Sequence, residues 1–199
     1  MAEAIDYYFS TLSTWSYLGH RAFHDMAARA AVDVHHKPVN LLKVFKATGG
    51  LPLGERPPAR QAYRLVEMRR WRKARGLQMN LRPAFFPFNA KLADCVVIAA
   101  AETEGEAVAG EIAGAIMRGV WVEQHNLADG VTLADVVQET GHNGKGLVEA
   151  AKAVEVEARY RANTEEAIAR GAFGAPSYFL GDELFWGQDR IDTLEQALS

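Results

Sequence analysis

The apolar and polar positions divide the chain into two β-rich ends and a helical middle. Residues 5–9 are short and rich in β-formers, and polar residues 10–14 break the run, which predicts a strand followed by a turn. Apolar residues then recur at helical spacing over residues 15–31, and residues 32–39 form a second candidate strand. This β-α-β order favours two parallel strands joined by a right-handed crossover.

The middle of the chain carries no convincing strand between about residues 50 and 165. Gly and Pro are dense over residues 49–58, which predicts a loop, and helical patterns follow it. The predicted helices cover residues 59–76, 90–104, 106–124, 133–140 and 147–172. Thr132 with Asp135 resembles a capping pair, and the Asn-Thr-Glu-Glu run at 163–166 predicts the start of a new helix.

The chain returns to β-structure near its C-terminal end. Residues 176–180 and 183–186 flank a Gly181-Asp182 turn, which predicts a hairpin. Apolar residues at helical spacing over 189–198 predict a last helix with Asp189 as its N-cap.

The order β-α-β, helices, β-β-α is that of an α/β thioredoxin-like fold with an all-helical insertion. We therefore predict a discontinuous thioredoxin-like domain of residues 1–48 and 166–199, and a helical insertion domain of residues 49–165. A chain of 199 residues with 49% apolar and 24% charged residues has the composition of an ordinary globular protein and can bury a proper core.

The net charge and the cysteine content limit which binding partners and which cellular compartment are expected. A net charge of -3 gives no electrostatic reason to expect nucleic acid or a membrane surface as partner. Residues 1–4 lack the charged and apolar regions of a secretory signal, and the apolar stretches are shorter than the roughly 20 residues of a membrane span. With Cys95 as the sole cysteine, no internal disulfide forms, so a reducing cytoplasm is the expected location.

Ser13 stands at the predicted strand-to-helix turn, where backbone N–H groups and the helix dipole favour a bound anion. A serine cannot exchange disulfides, but its hydroxyl can donate a hydrogen bond to a thiolate and so stabilise it. On its spacing alone, Ser13 is better explained as an ordinary N-cap, a role that serine fills very often. A hydrolase-type nucleophile is not indicated, because the chain has no G-x-S-x-G motif.

Three segments carry a resemblance to a known family. They are YFSTLSTWSYL at residues 8–18, NLLKVFKATG at 40–49 and FGAPSYFLGDELFWGQDR at 173–190. Together they resemble the 2-hydroxychromene-2-carboxylate isomerase family, which is related to kappa-class glutathione transferases and to the DsbA branch of thioredoxin-like proteins. The chain departs from the family pattern at Thr14, where a proline is usual, and at Ser10, where an acidic residue is common.

The resemblance implies a cytoplasmic, homodimeric, glutathione-dependent isomerase of aromatic-compound catabolism, such as naphthalene degradation. It would convert 2-hydroxychromene-2-carboxylate to trans-o-hydroxybenzylidenepyruvate by reversible addition of the glutathione thiolate. Two alternatives stay open: a kappa-like transferase that consumes glutathione, and a non-catalytic glutathione- or peptide-binding module. The missing CxxC argues against a disulfide oxidoreductase.

The resemblance also implies a set of glutathione-binding residues beside Ser13. Ala175 would pair with the cysteinyl backbone of glutathione from a cis bond to Pro176, although a trans proline opening an edge strand is the alternative. The residues of the following segment would hold the γ-glutamyl end and wall the site. They are Trp186, Gln188, Asp189 and Arg190. The plainer interpretation of Trp186 is a core aromatic, and that of residues 188–190 is a helix cap with a surface ion pair.

Four further residues are candidates for the ligand pocket. Lys46, or alternatively Lys43, is placed to meet a carboxylate of glutathione or of an acidic substrate. Asn89 lies in a loop that could form the far wall, while Tyr63 and Trp71 could contribute an aromatic surface from the helical insertion. Solvated loop positions explain Lys46 and Asn89 equally well, and helix-core roles explain Tyr63 and Trp71 better.

The histidines do not predict a metal site. His20 and His24 are four residues apart on one predicted helix, but no third ligand stands at a telling spacing. We therefore expect them on a solvated helix face. His35 and His36 should point to opposite faces of the sheet, and Cys95 should be a buried apolar thiol.

Overall fold

A computed structural model describes residues 4–198 and contains one mixed, four-stranded sheet. The strands are β1 (Ala4–Phe9), β2 (Asp33–Pro38), β3 (Ser177–Leu180) and β4 (Glu183–Trp186). Their order across the sheet is β2-β1-β3-β4, with β1 parallel to β2 and antiparallel to β3, and β3 antiparallel to β4. Residues 1–3, part of the segment predicted to lack a secretory signal, and Ser199 lie outside the described residues.

The helices occupy the crossover, the long middle segment and the C-terminal end. They are α1 (Thr14–Ala30), α2 (Leu41–Thr48), α3 (Pro58–Ala74), α4 (Lys91–Glu104), α5 (Glu106–Arg118), α6 (Gly130–Gln138), α7 (Gly144–Ala150), α8 (Val154–Ala169) and α9 (Ile191–Ala197). No helix within residues 4–198 is long and apolar enough to cross a membrane. The thioredoxin-like fold with a helical insertion is thus confirmed. The exact domain division stays a prediction, and its boundary at 165/166 falls inside α8.

Several helix boundaries differ from the predicted ones because side chains bond in ways that local pattern does not reveal. No new helix starts at residues 163–166. There, the Thr164 hydroxyl donates to the Tyr160 carbonyl at 2.9 Å and accepts the Asn40 N–H at 2.9 Å, so α8 continues unbroken. The predicted helix 147–172 is two helices, α7 and α8. The predicted helix 106–124 ends in a π-helical turn over Gly119–Glu123.

Two predicted caps were wrong, and one helix was missed. Asp129, rather than the pair of Thr132 and Asp135, caps α6 by accepting the Thr132 N–H at 2.9 Å. Asp189 lies within a 3-10 turn before α9 and does not cap it. The short helix α2 was not predicted, although Asn40 caps it by accepting the Lys43 N–H.

The sheet separates two apolar layers because its strands alternate their side chains. Tyr7 stacks on Phe9 and on Tyr178 at ring distances of 4.3 and 5.2 Å, in the larger core that includes α1, α4 and α5. Tyr8 and Phe179 face the other way, into a smaller core with residues of α2 and α8. This packing buries the C-terminal end of β1 on both faces, and the turn into α1 starts there.

The histidines of α1 are not on a solvated face, contrary to the prediction. His20 is buried and bonds the Gly110 carbonyl at 2.9 Å, while His24 Nε2 lies 3.3 Å from His36 Nε2. Glycine at 110 permits this approach, because a Cβ there would lie 2.9 Å from the His24 ring. Among residues 4–198 no group of three or more ligating side chains can hold a metal ion. The cluster therefore packs α1 against β2 and α5.

Acidification is expected to destabilise the protein through this cluster. Burial, followed by repulsion from His36, lowers the pKa of His24 to about 4, against about 6.5 in an unfolded chain. Between these values the unfolded state binds the extra proton, so stability falls as the pH drops, by at most about 1.4 kcal/mol per pH unit. Urea unfolding of wild type and His24→Gln checks this. From pH 6.5 to 4, the free energy of unfolding of wild type should fall relative to that of His24→Gln. A constant difference would contradict it.

Candidate active site

The turn between β1 and α1 presents unpaired backbone N–H groups at a helix start. The Ser13 N–H donates to the Ser10 carbonyl at 2.9 Å, and Ser13 Oγ accepts the Ser16 N–H at 3.2 Å. Ser13 is therefore the N-cap of α1. The N–H groups of Thr14 and Trp15 have no acceptor within residues 4–198, so the helix start can receive an anion.

A cis peptide bond faces this turn from the other end of the chain. Ala175-Pro176 is cis, as predicted, and the Ser13 hydroxyl donates to the Ala175 carbonyl at 3.3 Å. The Ala175 N–H has no acceptor in the described part of the chain, although Ala175 is nearly buried. The Gly187 N–H donates to the Pro176 carbonyl at 2.9 Å and fixes the end of the hairpin beside it. A main-chain donor is thus left open next to Ser13.

A buried carboxylate that the sequence analysis missed holds the turn in place. Asp94 of α4 accepts the Thr11 N–H and the Thr11 hydroxyl, both at 2.8 Å, the Ser10 hydroxyl at 3.1 Å and the Tyr160 hydroxyl at 3.2 Å. Burial raises the pKa of Asp94 to about 7, although these four donors act to lower it. Ser10, where the family resemblance predicts an acidic residue, thus donates its hydroxyl to an acidic residue of α4. The available signal was a single acid within the otherwise apolar run of residues 92–101 in α4.

A cavity of about 610 Å³ opens next to the cis bond and is lined by aromatic rings and arginines, within the size range of small-molecule sites. Its lining residues are Trp15, Arg56, Ala59, Arg60, Tyr63, Arg64, Glu67, Trp71, Ala175, Trp186, Gly187, Gln188, Asp189 and Arg190. Four arginines face only two carboxylates along this wall, so the cavity carries an excess of positive charge. The sequence analysis missed the arginines at 56, 60 and 64. Arg60 and Arg64 are four residues apart in α3 and share one face of that helix, whereas Arg56 lies just before it.

The structure brings most of the predicted site residues to this cavity. Tyr63, Trp71, Ala175, Trp186, Gln188, Asp189 and Arg190 all line it, and Ser13 adjoins it through Ala175. Trp186 is 48% exposed and stacks on Phe173 at 4.5 Å, so it forms a wall and not a core contact. Gly174 makes this possible, since a Cβ there would lie 2.5 Å from Trp186 Nε1.

Gln188 is held in a defined position by two features that sequence pattern did not indicate. Arg75 donates to the Gln188 carbonyl at 2.9 Å and to its side-chain oxygen at 3.3 Å, which leaves the side-chain NH2 free of this contact. Gly19 of α1 lets the segment approach, because a Cβ there would lie 2.6 Å from the Gln188 Cβ. The 3-10 turn of Gln188–Arg190 is thereby fixed against α1.

Lys46, Lys43 and Asn89 do not line the cavity. Helix α2 buries Val44, which leaves Lys46 exposed two positions later, and Lys43 lines a separate cavity of about 190 Å³. Asn89 is exposed, and its side chain accepts the Lys91 N–H at 3.1 Å at the start of α4. The cations that contact a ligand in the large cavity are therefore the arginines that line it, and not Lys43 or Lys46.

The chemistry available at this site comes from binding and not from a thiol of the chain itself. Cys95 is buried in α4, and its burial, together with the neighbouring Asp94, raises the pKa of the thiol to about 12. Ser13 supplies a hydroxyl, Thr14 and Trp15 supply N–H groups, and Ala175 supplies a peptide edge. Such a site can bind an extended peptide-like molecule and stabilise a negative charge beside the helix start.

The chain belongs to the DSBA-like thioredoxin domain family, whose model matches residues 4–199. Over its whole length it is 27% identical to a 2-hydroxychromene-2-carboxylate isomerase from Sphingobium xenophagum, of which it covers 99%. A solved 2-hydroxychromene-2-carboxylate isomerase is 26% identical, with a TM-score of 0.83 over 98% of this chain and 94% of that one. The cytosolic disulfide reductase DsbM from Pseudomonas aeruginosa, solved with GSH, shares the fold at 19% identity and a TM-score of 0.68, over 98% of both chains. The predicted family resemblance is thus confirmed.

Proposed function

We propose that this protein is a glutathione-dependent isomerase that converts 2-hydroxychromene-2-carboxylate to trans-o-hydroxybenzylidenepyruvate. The observation that carries the proposal is the placement of Ser13 at the start of α1, opposite Ala175 and beside a cationic, aromatic-lined cavity. Full-length relatives that bear the name of this isomerase support the reaction. A structure of the same fold with GSH supports the cofactor.

The residues around Ser13 fit glutathione. The Ala175 N–H has no acceptor among residues 4–198 and offers the peptide edge that a cysteinyl backbone would extend. Asp189 provides a carboxylate for the γ-glutamyl ammonium group, and the fixed Gln188 turn beside it provides donors for the carboxylate. The open N–H groups of Thr14 and Trp15 suit the sulfur as a thiolate.

Glutathione, when bound, supplies a thiolate that adds reversibly to the substrate and leaves again, so that a former double bond can rotate. The Ser13 hydroxyl donates to Ala175 over 3.3 Å, a long bond that it can exchange for one to the sulfur. The N–H groups of Thr14 and Trp15 lower the thiol pKa from the other side. Trp15, Tyr63 and Trp71 enclose an aromatic ring, and the arginines of the cavity attract the substrate's negative charge.

The reaction is tested by following the ultraviolet absorbance of the chromene with and without millimolar glutathione, while free thiol is measured in parallel. We expect the protein to accelerate the loss of absorbance only when glutathione is present, and the thiol concentration to stay constant. Stoichiometric loss of thiol would point instead to a transferase. Absence of acceleration, together with no calorimetric binding of glutathione, would contradict the proposal.

Arg75 is expected to be a positioning residue for glutathione, because it holds Gln188 through the contacts described above. Arg75→Met keeps the packing on Trp71 but removes the hydrogen bonds to the Gln188 carbonyl and side chain. We expect glutathione affinity to fall about tenfold, the equivalent of one charge-assisted hydrogen bond, with little change in kcat at saturating glutathione. Arg69→Met, on the exposed side of α3, is the matched control. Unchanged affinity in Arg75→Met would contradict this role.

The homodimer that the resemblance implies also belongs to the proposal. Light scattering coupled to size exclusion is expected to give twice the chain mass of 21.9 kDa. A mass of a single chain at micromolar concentration would contradict it.

A further inference from the structure

Arg64 reaches from α3 to the start of α1 at the floor of the large cavity. Its guanidinium donates to the Thr14 hydroxyl, one residue from Ser13. The group also lies over the rings of Phe86 and Trp121, at 5.5 and 5.9 Å from the ring centres. Two aromatic faces and a hydrogen bond therefore hold this cation in a fixed orientation.

The charge of Arg64 has no counter-ion within residues 4–198. No described carboxylate lies within ion-pair distance of it, and Glu67, one turn further along α3, pairs with Arg70 at 2.6 Å. Burial and repulsion from Arg56 lower the pKa of Arg64 to about 10, so that it remains a cation at neutral pH. A partly buried cation without an anion is unfavourable, and an arriving carboxylate would relieve that penalty.

We propose that Arg64 is the receptor for the carboxylate of an acidic aromatic substrate and thereby sets the orientation of that substrate beside Ser13. This inference rests on the proposed function for the identity of the substrate, but the charge recognition itself is independent of it. Thr14 occupies one donor of the guanidinium, and the remaining donors can bind a carboxylate in a bidentate manner.

The surroundings of Arg64 fit an aromatic acid. Arg56 and Arg60 line the same cavity and strengthen the attraction for an anion, while Trp15, Tyr63 and Trp71 offer ring surfaces for the apolar body. A carboxylate at Arg64 lies next to Thr14, so the carbon atoms near that carboxylate come close to Ser13, where the thiolate is proposed to be stabilised. Glutathione also carries carboxylates, and the experiment separates the two sources.

The test measures binding of trans-cinnamate, its neutral amide cinnamamide, and glutathione to wild type, Arg64→Gln and Arg64→Lys by calorimetry. We expect Arg64→Gln to weaken cinnamate binding about ten- to a hundredfold, while cinnamamide and glutathione bind as to wild type. Arg64→Lys should recover part of the loss, since it keeps the charge without the fork. Arg69→Gln on the same helix is the control, because Arg69 is exposed and does not line the cavity.

Three results would overturn the inference. Equal losses for cinnamate and cinnamamide would mean that Arg64 acts through packing on Phe86 and Trp121. Loss of glutathione affinity with cinnamate unchanged would assign Arg64 to a glutathione carboxylate. Unaltered binding of all three ligands would exclude a receptor role. If wild type fails to turn over the chromene but cinnamate binding depends on Arg64, the proposed function fails while the inference holds.

Discussion

Ser13→Gly is expected to lower kcat/KM for the chromene about a hundredfold, the usual effect of removing one preorganised donor to a developing anion. The hydroxyl is the only side-chain donor that the structure places between the start of α1 and the Ala175 carbonyl within the described residues. Without it, the bound thiol is less ionised at neutral pH, so less of the nucleophile is present. The measurement is steady-state turnover of the chromene at saturating glutathione over pH 6 to 9.

Ser13→Ala is the matched variant that separates catalysis from capping. Alanine is a poor N-cap and should lower the free energy of unfolding by about 1 kcal/mol, whereas glycine lowers it by only a few tenths. Both variants lose the hydroxyl, so both should lose the same catalytic rate while differing in stability. If activity followed stability, with Ser13→Gly near the wild-type rate, Ser13 would be a cap and nothing more.

Ser13→Cys measures the thiolate-stabilising environment without glutathione. At the start of α1 the introduced thiol should ionise below the ordinary value of about 8.5, and its thiolate absorbs in the ultraviolet. Cys95 does not interfere, because burial raises its pKa to about 12. An introduced thiol that titrates at or above the ordinary value would contradict the proposed role of the helix start.

Asp94→Leu is expected to produce the largest loss of stability. Four donors, from Ser10, Thr11 and Tyr160, would lose their acceptor in a buried setting, which should lower the free energy of unfolding by about 3 kcal/mol. Because these bonds hold the turn that ends at Ser13, activity should fall as well. Urea unfolding and the chromene assay check both effects. Asp135→Asn, at an exposed position of α6, serves as control and should change neither.

Asp94→Asn gives the same site a pH signature. An unfolded aspartate ionises near 3.9, whereas burial keeps Asp94 protonated up to about pH 7 in the fold. The stability that this raised pKa contributes is present below pH 3.9 and is lost as the pH rises to about 7. Relative to Asp94→Asn, wild type should therefore lose up to about 1.4 kcal/mol per pH unit over that interval. A difference in stability that does not vary with pH would contradict the assignment.

The local pattern of the sequence determined the strands, most of the helices and their order, whereas α2 and the break between α7 and α8 were missed. Residues 5–9, the helix that follows, and the hairpin around Gly181 are each specified by neighbours a few positions away, through β-propensity, helical spacing and turn chemistry. The same local signals placed Ser13 at a helix start and Ala175 before a proline. Residue-by-residue resemblance over three segments then connected these positions to a glutathione site.

Tertiary structure alone decided which distant residues surround that site. Asp94 is 83 positions from Thr11, Arg64 is 50 from Thr14, and Arg75 is 113 from Gln188. Their partners depend on how the helices of the insertion pack on the sheet, which no short window of sequence contains. The same packing buried His20, because Gly114 of a distant helix leaves room for its ring and the Gly110 carbonyl bonds it. The sequence thus determined where the helix start and the peptide edge lie. The tertiary structure determined which charged residues surround them, because those residues are distant in sequence and are brought there by helix packing.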